Sequence, residues 1–108
     1  MYETDKIYEW QKEYNVPGEI GYEERYMSKM LGYTSFSKNR ADIHINNVLH
    51  DKGFALTSIQ WHEYCHAELW LTGDNHPGHT SKWYALMARK PLYCLGCVYA
   101  QILYKVIK

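Results

Sequence analysis

The chain has 108 residues, 12 basic and 12 acidic side chains, and a formal net charge of zero. This length and an apolar content of 46% indicate one globular domain with a modest core, spanning residues 1–108, and exclude a disordered chain. The neutral charge argues against strong long-range attraction for a polyanion, and three cysteines provide no disulfide framework.

The N-terminal half predicts two helices followed by two short strands. Residues 3–14 have helical composition with an apolar stripe, and residues 19–31 predict a second helix that ends at Gly32. Residues 33–37 and 41–45 then read as strands joined by a turn. The first residues lack the apolar run of a signal peptide, so we expect a cytoplasmic protein.

The most informative stretch is His62-Glu63-Tyr64-Cys65-His66, an H-E-x-x-H motif. Residues four apart on a helix lie one turn apart on the same face, so both imidazoles can bind one Zn²⁺ ion. The carboxylate of Glu63 lies beside them, where it can take a proton from a zinc-activated water molecule. The motif therefore predicts the centre of a zinc hydrolase.

A helix over residues 58–72 is predicted to carry this motif. Thr57 is its expected N-cap, Gln60 completes a capping box, and Gly73 provides a C-terminal stop. One face should turn toward the core with the zinc residues (Ile59, His62, Glu63, His66, Leu69 and Trp70), and the opposite face carries Tyr64, Glu68 and Leu71.

A catalytic zinc site needs a third protein ligand and an open fourth position. No aspartate or glutamate follows Asp74, so an acidic ligand farther along the chain is excluded. His76 and His79 are the only downstream imidazoles. We favour His79, which precedes a helix predicted around residues 83–89, over His76, with Asp74 as a third option. Thr80 or Ser81 can cap that helix.

With these residues in place, the chain resembles the SprT-like (Spartan-type) zinc metallopeptidase domains. The resemblance rests on the H-E-x-x-H motif followed by Ala67, on Gly78-His79 followed by an aromatic residue, and on short strands before the motif. It covers roughly residues 20–90 and is strongest over 31–90. It implies an α+β, zincin-like domain with N-terminal helices, a short β-sheet, an active-site helix and a C-terminal helical segment.

The sequence thus predicts peptide-bond hydrolysis at one zinc ion held by His62, His66 and His79, with Glu63 as general base. We expect a protein or peptide substrate whose backbone pairs with an edge strand at residues 41–46. Tyr84 and His76 are candidates for stabilising the oxyanion. His44 and His50 are expected to be surface or hydrogen-bonded histidines.

Two other classes of protein remain open. One is a non-proteolytic zinc module that docks proteins or DNA, and the other is a helical protein in which the motif is accidental. Residues 75–108 carry five basic and no acidic side chains (Lys82, Arg89, Lys90, Lys105 and Lys108). We expect these charges to support at most a weak association with DNA.

The C-terminal segment is apolar but shorter than a bilayer span, so a core helix or strand is favoured over a membrane anchor. Cys94 and Cys97 form half of a zinc ribbon without the other two ligands, and we expect them to be buried packing residues. A monomer is favoured.

Overall fold

Four helices and one three-stranded mixed sheet form the part of the chain, residues 4–107, that this computed structural model describes. In chain order they are α1 (Thr4–Glu13), β1 (Glu19–Arg25), β2 (Gly32–Ser37), β3 (Arg40–Asn46), α2 (Phe54–Leu71), α3 (Ser81–Met87) and α4 (Pro91–Ile107), with one 3-10 turn at Asn47–Leu49. The expected α+β class is confirmed. The first helix and the hairpin strands also agree with the sequence to within two residues.

The sheet has the strand order β1-β3-β2, with β3 in the centre. β3 pairs antiparallel with β2 through a tight turn in which Asn39 has a φ of 57°, and parallel with β1. The expectation that residues 41–46 form an edge strand is therefore wrong, because β3 has a neighbour on each side. The edge strands of the sheet are β1 and β2, and β2 lies beside the histidine motif.

Residues 19–25 form strand β1 and do not begin the helix that we expected over residues 19–31. Pairing with β3 outweighs the helical composition of this segment, because strand preference depends strongly on neighbouring strands. Arg40 reaches across to Glu19 at 2.7 Å. Gly21 packs so closely on Asp42 that a Cβ atom would lie 2.1 Å from the carboxylate oxygen. Arg40 and Asp42 lie about twenty residues farther along the chain, so the local sequence of residues 19–25 does not indicate these contacts.

Asn46 holds the segment between β1 and β2 against the end of the sheet. Its buried amide donates hydrogen bonds of 2.8 Å to the carbonyl oxygens of Met27 and Met30. Its side-chain oxygen accepts from the backbone of Val48 at 3.1 Å and caps the 3-10 turn. The segment is thus an ordered connection that ends where β2 begins.

α2 begins at Phe54, one turn before its expected start. Thr57 lies inside the helix, where its hydroxyl donates to the carbonyl oxygen of Gly53 at 3.2 Å, so the predicted N-cap is wrong. The predicted C-terminal stop is confirmed. Gly73 has a φ of 103°, and hydrogen bonds from Gly73 to Trp70 and from Asp74 to Leu69 form a Schellman motif.

α2 is the central helix, and its expected division into a core face and an opposite face is wrong. Tyr64 and Glu68, which we placed opposite the zinc residues, are also buried. The single proton of the Tyr64 hydroxyl faces two acceptors, the carboxylate of Glu68 at 2.9 Å and the carbonyl oxygen of Trp10 in α1 at 3.1 Å. Glu68 also pairs with Arg89 at 3.0 Å. The sheet covers one side of α2, and the other helices cover the rest.

The C-terminal segment forms a helix, α4, but the expectation of a core element holds for one face only, since Gly96 and Ala100 are its buried residues. It approaches α2 closely at Gly96, where a Cβ atom would lie 1.7 Å from the hydroxyl of Ser58. Cys94 and Cys97 pack against the core as expected, but they are only partly buried, and their thiols are free. Of the helices in the described part of the chain, none has the length and apolar character needed to span a membrane.

Candidate metal centre

Helix α2 and the loop before α3 bring the imidazoles of His62, His66 and His79 together. One ring nitrogen of each lies within 4.8 Å of the other two. The Nε2 atoms of His62 and His79 are 3.3 Å apart. Two nitrogens bound tetrahedrally to zinc at the usual bond length are also separated by about 3.3 Å. The cluster is therefore a group of three ligands that could hold a single metal ion.

Hydrogen bonds orient two of the rings. Nδ1 of His66 contacts the carbonyl oxygen of Pro77 at 2.5 Å, which directs its Nε2 toward the cluster. Nδ1 of His62 faces the thiol of Cys97 at 3.9 Å, while its Nε2 faces His79. In metal sites the second ring nitrogen commonly has such a partner, which sets the tautomer of the ligand.

Trp83 supports all three imidazoles from below. Its ring centroid lies 4.7 Å from that of His62, 5.1 Å from that of His66 and 4.5 Å from that of His79. Thr80 caps α3 by accepting a hydrogen bond from the backbone of Trp83, which places this side chain one turn after His79. The sequence shows an aromatic residue at this position, but it does not predict the contact of Trp83 with the three imidazoles, because that contact depends on how α3 packs on α2.

Glu63 lies beside the cluster and is only 4% exposed. Its Oε2 atom is 3.9 Å from Nε2 of His62, and its Oε1 atom accepts a hydrogen bond of 2.8 Å from the hydroxyl of Thr34. Burial raises the pKa of Glu63 to about 7, while the hydrogen bond from Thr34 lowers it. Sequence reasoning missed Thr34, which β2 brings to α2 from 29 residues away.

Burial also keeps the histidines of α2 neutral. It lowers the pKa of His62 to about 3, with smaller contributions from His66 and His79, and it lowers the pKa of His66. A metal binds the neutral form of imidazole, so these two side chains need not lose a proton to bind one at neutral pH.

A cavity of about 440 Å³ opens above the cluster, between β2 and the loop before α3. Its wall consists of Gly32, Tyr33, Thr34, Phe36, His62, Glu63, His66, Pro77, Gly78 and His79. The described residues include no other group of three potential metal ligands as closely spaced as this one. The centre is therefore accessible to a molecule bound along β2.

The other candidates lie outside this arrangement. The backbone of His76 donates to the carboxylate of Asp74 at 2.7 Å, and neither residue belongs to the histidine cluster. Tyr84 is 61% exposed and does not line the cavity. His44 and His50 do not belong to the cluster. His44 stacks on Tyr33 and bonds to Glu23, and His50 bonds to Glu24, in agreement with the expectation of surface or hydrogen-bonded histidines.

No curated protein and no solved structure matched the chain significantly. A sequence model of the SprT-like family matches residues 4–92, from the start of α1 to the start of α4. This stretch is most of the chain and includes Glu63 and the three clustered histidines. The chain therefore belongs to the SprT-like family.

Proposed function

We propose that this domain is a zinc-dependent peptidase that hydrolyses a peptide bond in the cavity between β2 and α2. One observation carries the proposal. A buried carboxylate with a pKa raised to about 7, that of Glu63, lies next to three imidazoles on the floor of an open cavity. Family membership and the chemistry of these side chains support the same reaction.

Three neutral imidazoles are a donor set that suits zinc, whereas Mg²⁺ and Ca²⁺ prefer oxygen ligands. His62, His66 and His79 would hold the ion. When bound, zinc supplies Lewis-acid chemistry, which makes a water molecule easier to ionise near neutral pH and polarises a carbonyl group.

The remaining steps belong to the side chains of the protein. Glu63 accepts the proton of the attacking water and returns it to the nitrogen of the leaving amine. In the metal-free site burial raises the pKa of Glu63, and a higher pKa makes its carboxylate a stronger base. The hydroxyl of Thr34 holds one carboxylate oxygen and leaves the other, 3.9 Å from His62, facing the cluster.

The proposed substrate is an extended protein segment that adds to the sheet beside β2. Residues 32–34 and Phe36 of this strand line the cavity, so a peptide paired with β2 would pass directly over the histidines. This replaces the expectation that the substrate pairs with residues 41–46, which form the central strand. Backbone pairing holds many sequences equally well, so it predicts broad tolerance for side chains.

Removal of the metal tests the proposal. Protein purified without a histidine tag should contain about one zinc per chain and should cleave an unfolded protein substrate. A chelator should abolish cleavage, and added Zn²⁺ should restore it. Bound zinc without any cleavage would favour the non-proteolytic docking module, and absence of zinc would show that the motif is accidental. The open cavity and the buried Glu63 favour the peptidase, since a closed structural site needs no base.

Replacement of Thr34 by valine should shift the acidic limb of the pH profile of kcat/KM to higher pH. The hydroxyl of Thr34 lowers the pKa of Glu63, so its removal raises that pKa further and the base is protonated over a wider range. Activity should fall several-fold at mildly acidic pH and persist at alkaline pH. Thr34→Ser, which retains the hydroxyl, is the matched control. An unchanged acidic limb in the valine variant would contradict this role.

Only weak, non-specific and salt-sensitive DNA binding is expected. Of the five basic residues in the C-terminal half, Arg89 and Lys90 already pair with acidic side chains at 3.0 and 3.6 Å. Lys82 and Lys105 form no ion pair among the described residues, and Lys108 lies outside them. So few charges can release few counterions, which predicts a shallow dependence on salt.

Titration of labelled single- and double-stranded DNA at two salt concentrations measures this binding. A Lys82→Ala, Lys105→Ala double variant should bind more weakly than the unmodified protein. Tight binding that salt does not weaken would reveal a dedicated DNA site. Absence of binding even at low salt would leave the proposed peptidase without this partner.

A further inference from the structure

Helix α4 exposes one continuous apolar stripe. Six of its side chains, each between 50% and 77% exposed, are Leu92, Leu95, Val98, Tyr99, Ile102 and Val106. At about 100° per residue they span an arc of roughly 120° on one side of the helix. The opposite side of α4 carries the buried Gly96 and Ala100 that pack toward the core. We call these six side chains the α4 stripe.

The α4 stripe is comparable in area to the largest apolar patches of monomeric proteins, which are often functional. At about 100 Å² for each exposed apolar side chain, it offers roughly 600 Å², which is at the upper end of the range for the largest patch on a typical monomer. Two such surfaces in contact would bury about 1,200 Å², the area at which specific protein interfaces begin.

The spacing of the stripe fits a second copy of the same helix. Leu92, Leu95, Tyr99, Ile102 and Val106 alternate in steps of three and four residues, the pattern of helices that pack side by side. The pattern is nearly symmetric about Tyr99. In an antiparallel pair centred there, Leu92 would face Val106 of the second copy, and Leu95 would face Ile102.

The charges of α4 favour the antiparallel arrangement. Lys105 is the only charged residue between Pro91 and Ile107. In a parallel pair the two copies of Lys105 would lie side by side, whereas in the antiparallel pair they lie about 18 Å apart along the axis, beyond the screening length at physiological salt. A lipid surface is a poorer occupant, because helices that lie on membranes usually carry several basic residues on their polar face.

We propose that the α4 stripe is the interface of a homodimer in which two α4 helices pack antiparallel about a two-fold axis near Tyr99. The partner is a second copy of this chain, in place of the monomer that the sequence favoured. The stripe lies on a different face of α4 from Gln101 and Tyr104, which line a cavity of about 230 Å³ beside Glu63. The dimer therefore leaves the metal centre accessible.

Sedimentation equilibrium of the full chain over a wide concentration range tests the dimer. The average mass should rise from 12.8 kDa toward twice that value as concentration increases. Leu95→Glu should weaken self-association by about tenfold or more, because a charge replaces an apolar side chain near the centre of the interface. Tyr26→Glu is the matched control, since Tyr26 is 70% exposed in the connection between β1 and β2 and should not affect association.

A charge-pairing experiment tests the antiparallel geometry. Leu95→Lys and Ile102→Glu should each weaken association alone, and a mixture of the two variants should form a heterodimer. In that heterodimer the introduced ammonium opposes the introduced carboxylate, while the other Leu95 and Ile102 remain in contact. In a parallel pair the two substitutions would not meet, so failure of the mixture to associate overturns this geometry.

Three further results would overturn the dimer itself. They are a constant mass of one chain at every concentration, equal weakening by Leu95→Glu and Tyr26→Glu, and binding of a monomeric chain to phosphatidylcholine vesicles that Leu95→Glu abolishes. Circular dichroism and zinc content should be unchanged in every variant, because the substituted side chains are exposed. These two measurements separate lost association from lost folding.

Discussion

Glu63→Gln is expected to abolish peptide hydrolysis and leave the zinc content unchanged. Glutamine keeps the shape of the side chain and can still bond to Thr34, but it cannot accept a proton from water. The ion would be held by imidazoles alone, so binding and catalysis should separate. We expect kcat to fall by about 10²- to 10⁴-fold, the usual contribution of a general base. Metal analysis and a peptidase assay on the same preparation measure both effects.

Retained hydrolysis in a zinc-replete Glu63→Gln variant would show that another group takes the proton. A disturbed metal site could not explain this result, because the zinc content shows directly whether the three histidines still bind the ion. A His62→Ala variant prepared in parallel is the control for contaminating peptidases, since it should lack both zinc and activity.

The same variant should be more stable than the unmodified protein when the metal is removed. The folded-state pKa of Glu63, about 7, lies above the ordinary value of 4.5. Stability is therefore lost as the pH rises from 4.5 through about 7, because the unfolded chain releases this proton more readily. The Glu63→Gln variant does not lose this stability. The difference between its free energy of unfolding and that of the unmodified protein should therefore grow with pH, to about 3 kcal/mol.

Denaturant unfolding of the metal-free proteins at pH values below and above this window measures the difference. Glu68→Gln is the contrasting control. Glu68 is also buried, but it pairs with Arg89 and accepts from Tyr64, so its replacement should destabilise the fold. Equal changes in the free energy of unfolding for the two substitutions would show that burial of the ionised Glu63 carboxylate does not destabilise the fold.

His79→Ala is expected to reduce zinc affinity far more than His76→Ala. A ring nitrogen of His79 belongs to the three-imidazole cluster, whereas His76 lies outside it and contributes a backbone hydrogen bond to the loop. Loss of a partner that only orients a ligand already costs about 10- to 100-fold in affinity, so loss of a ligand should exceed that range. Competition with a zinc chelator measures the affinities.

The fold should survive both substitutions, since the rings of His76 and His79 are exposed. The free energy of unfolding of the metal-free protein should therefore change little. If His76→Ala proves the more damaging for zinc, the third ligand has been assigned to the wrong residue. Equal small losses would mean that two histidines of α2 hold the ion with a ligand not yet identified.

Local patterns explain which predictions were confirmed. The H-E-x-x-H motif lies within one helix, so its spacing alone places His62 and His66 on the same face. The first helix, the hairpin strands and the stop at Gly73 also depend on residues a few positions apart. The error at Thr57 has a local cause as well, because a threonine hydroxyl can bond inside a helix as readily as it can cap one.

By itself, the sequence determined that this protein has a zinc-type motif on a helix, with a third histidine available after it. Only the tertiary structure decided that residues 19–25 form a strand, that β2 instead of β3 faces the cavity, and that Thr34 and Trp83 support the site. The pKa of Glu63 also arises there, since it depends on burial by neighbouring elements. Helical spacing is set by neighbours in the chain, whereas strand pairing and burial depend on distant partners that leave no periodic signal.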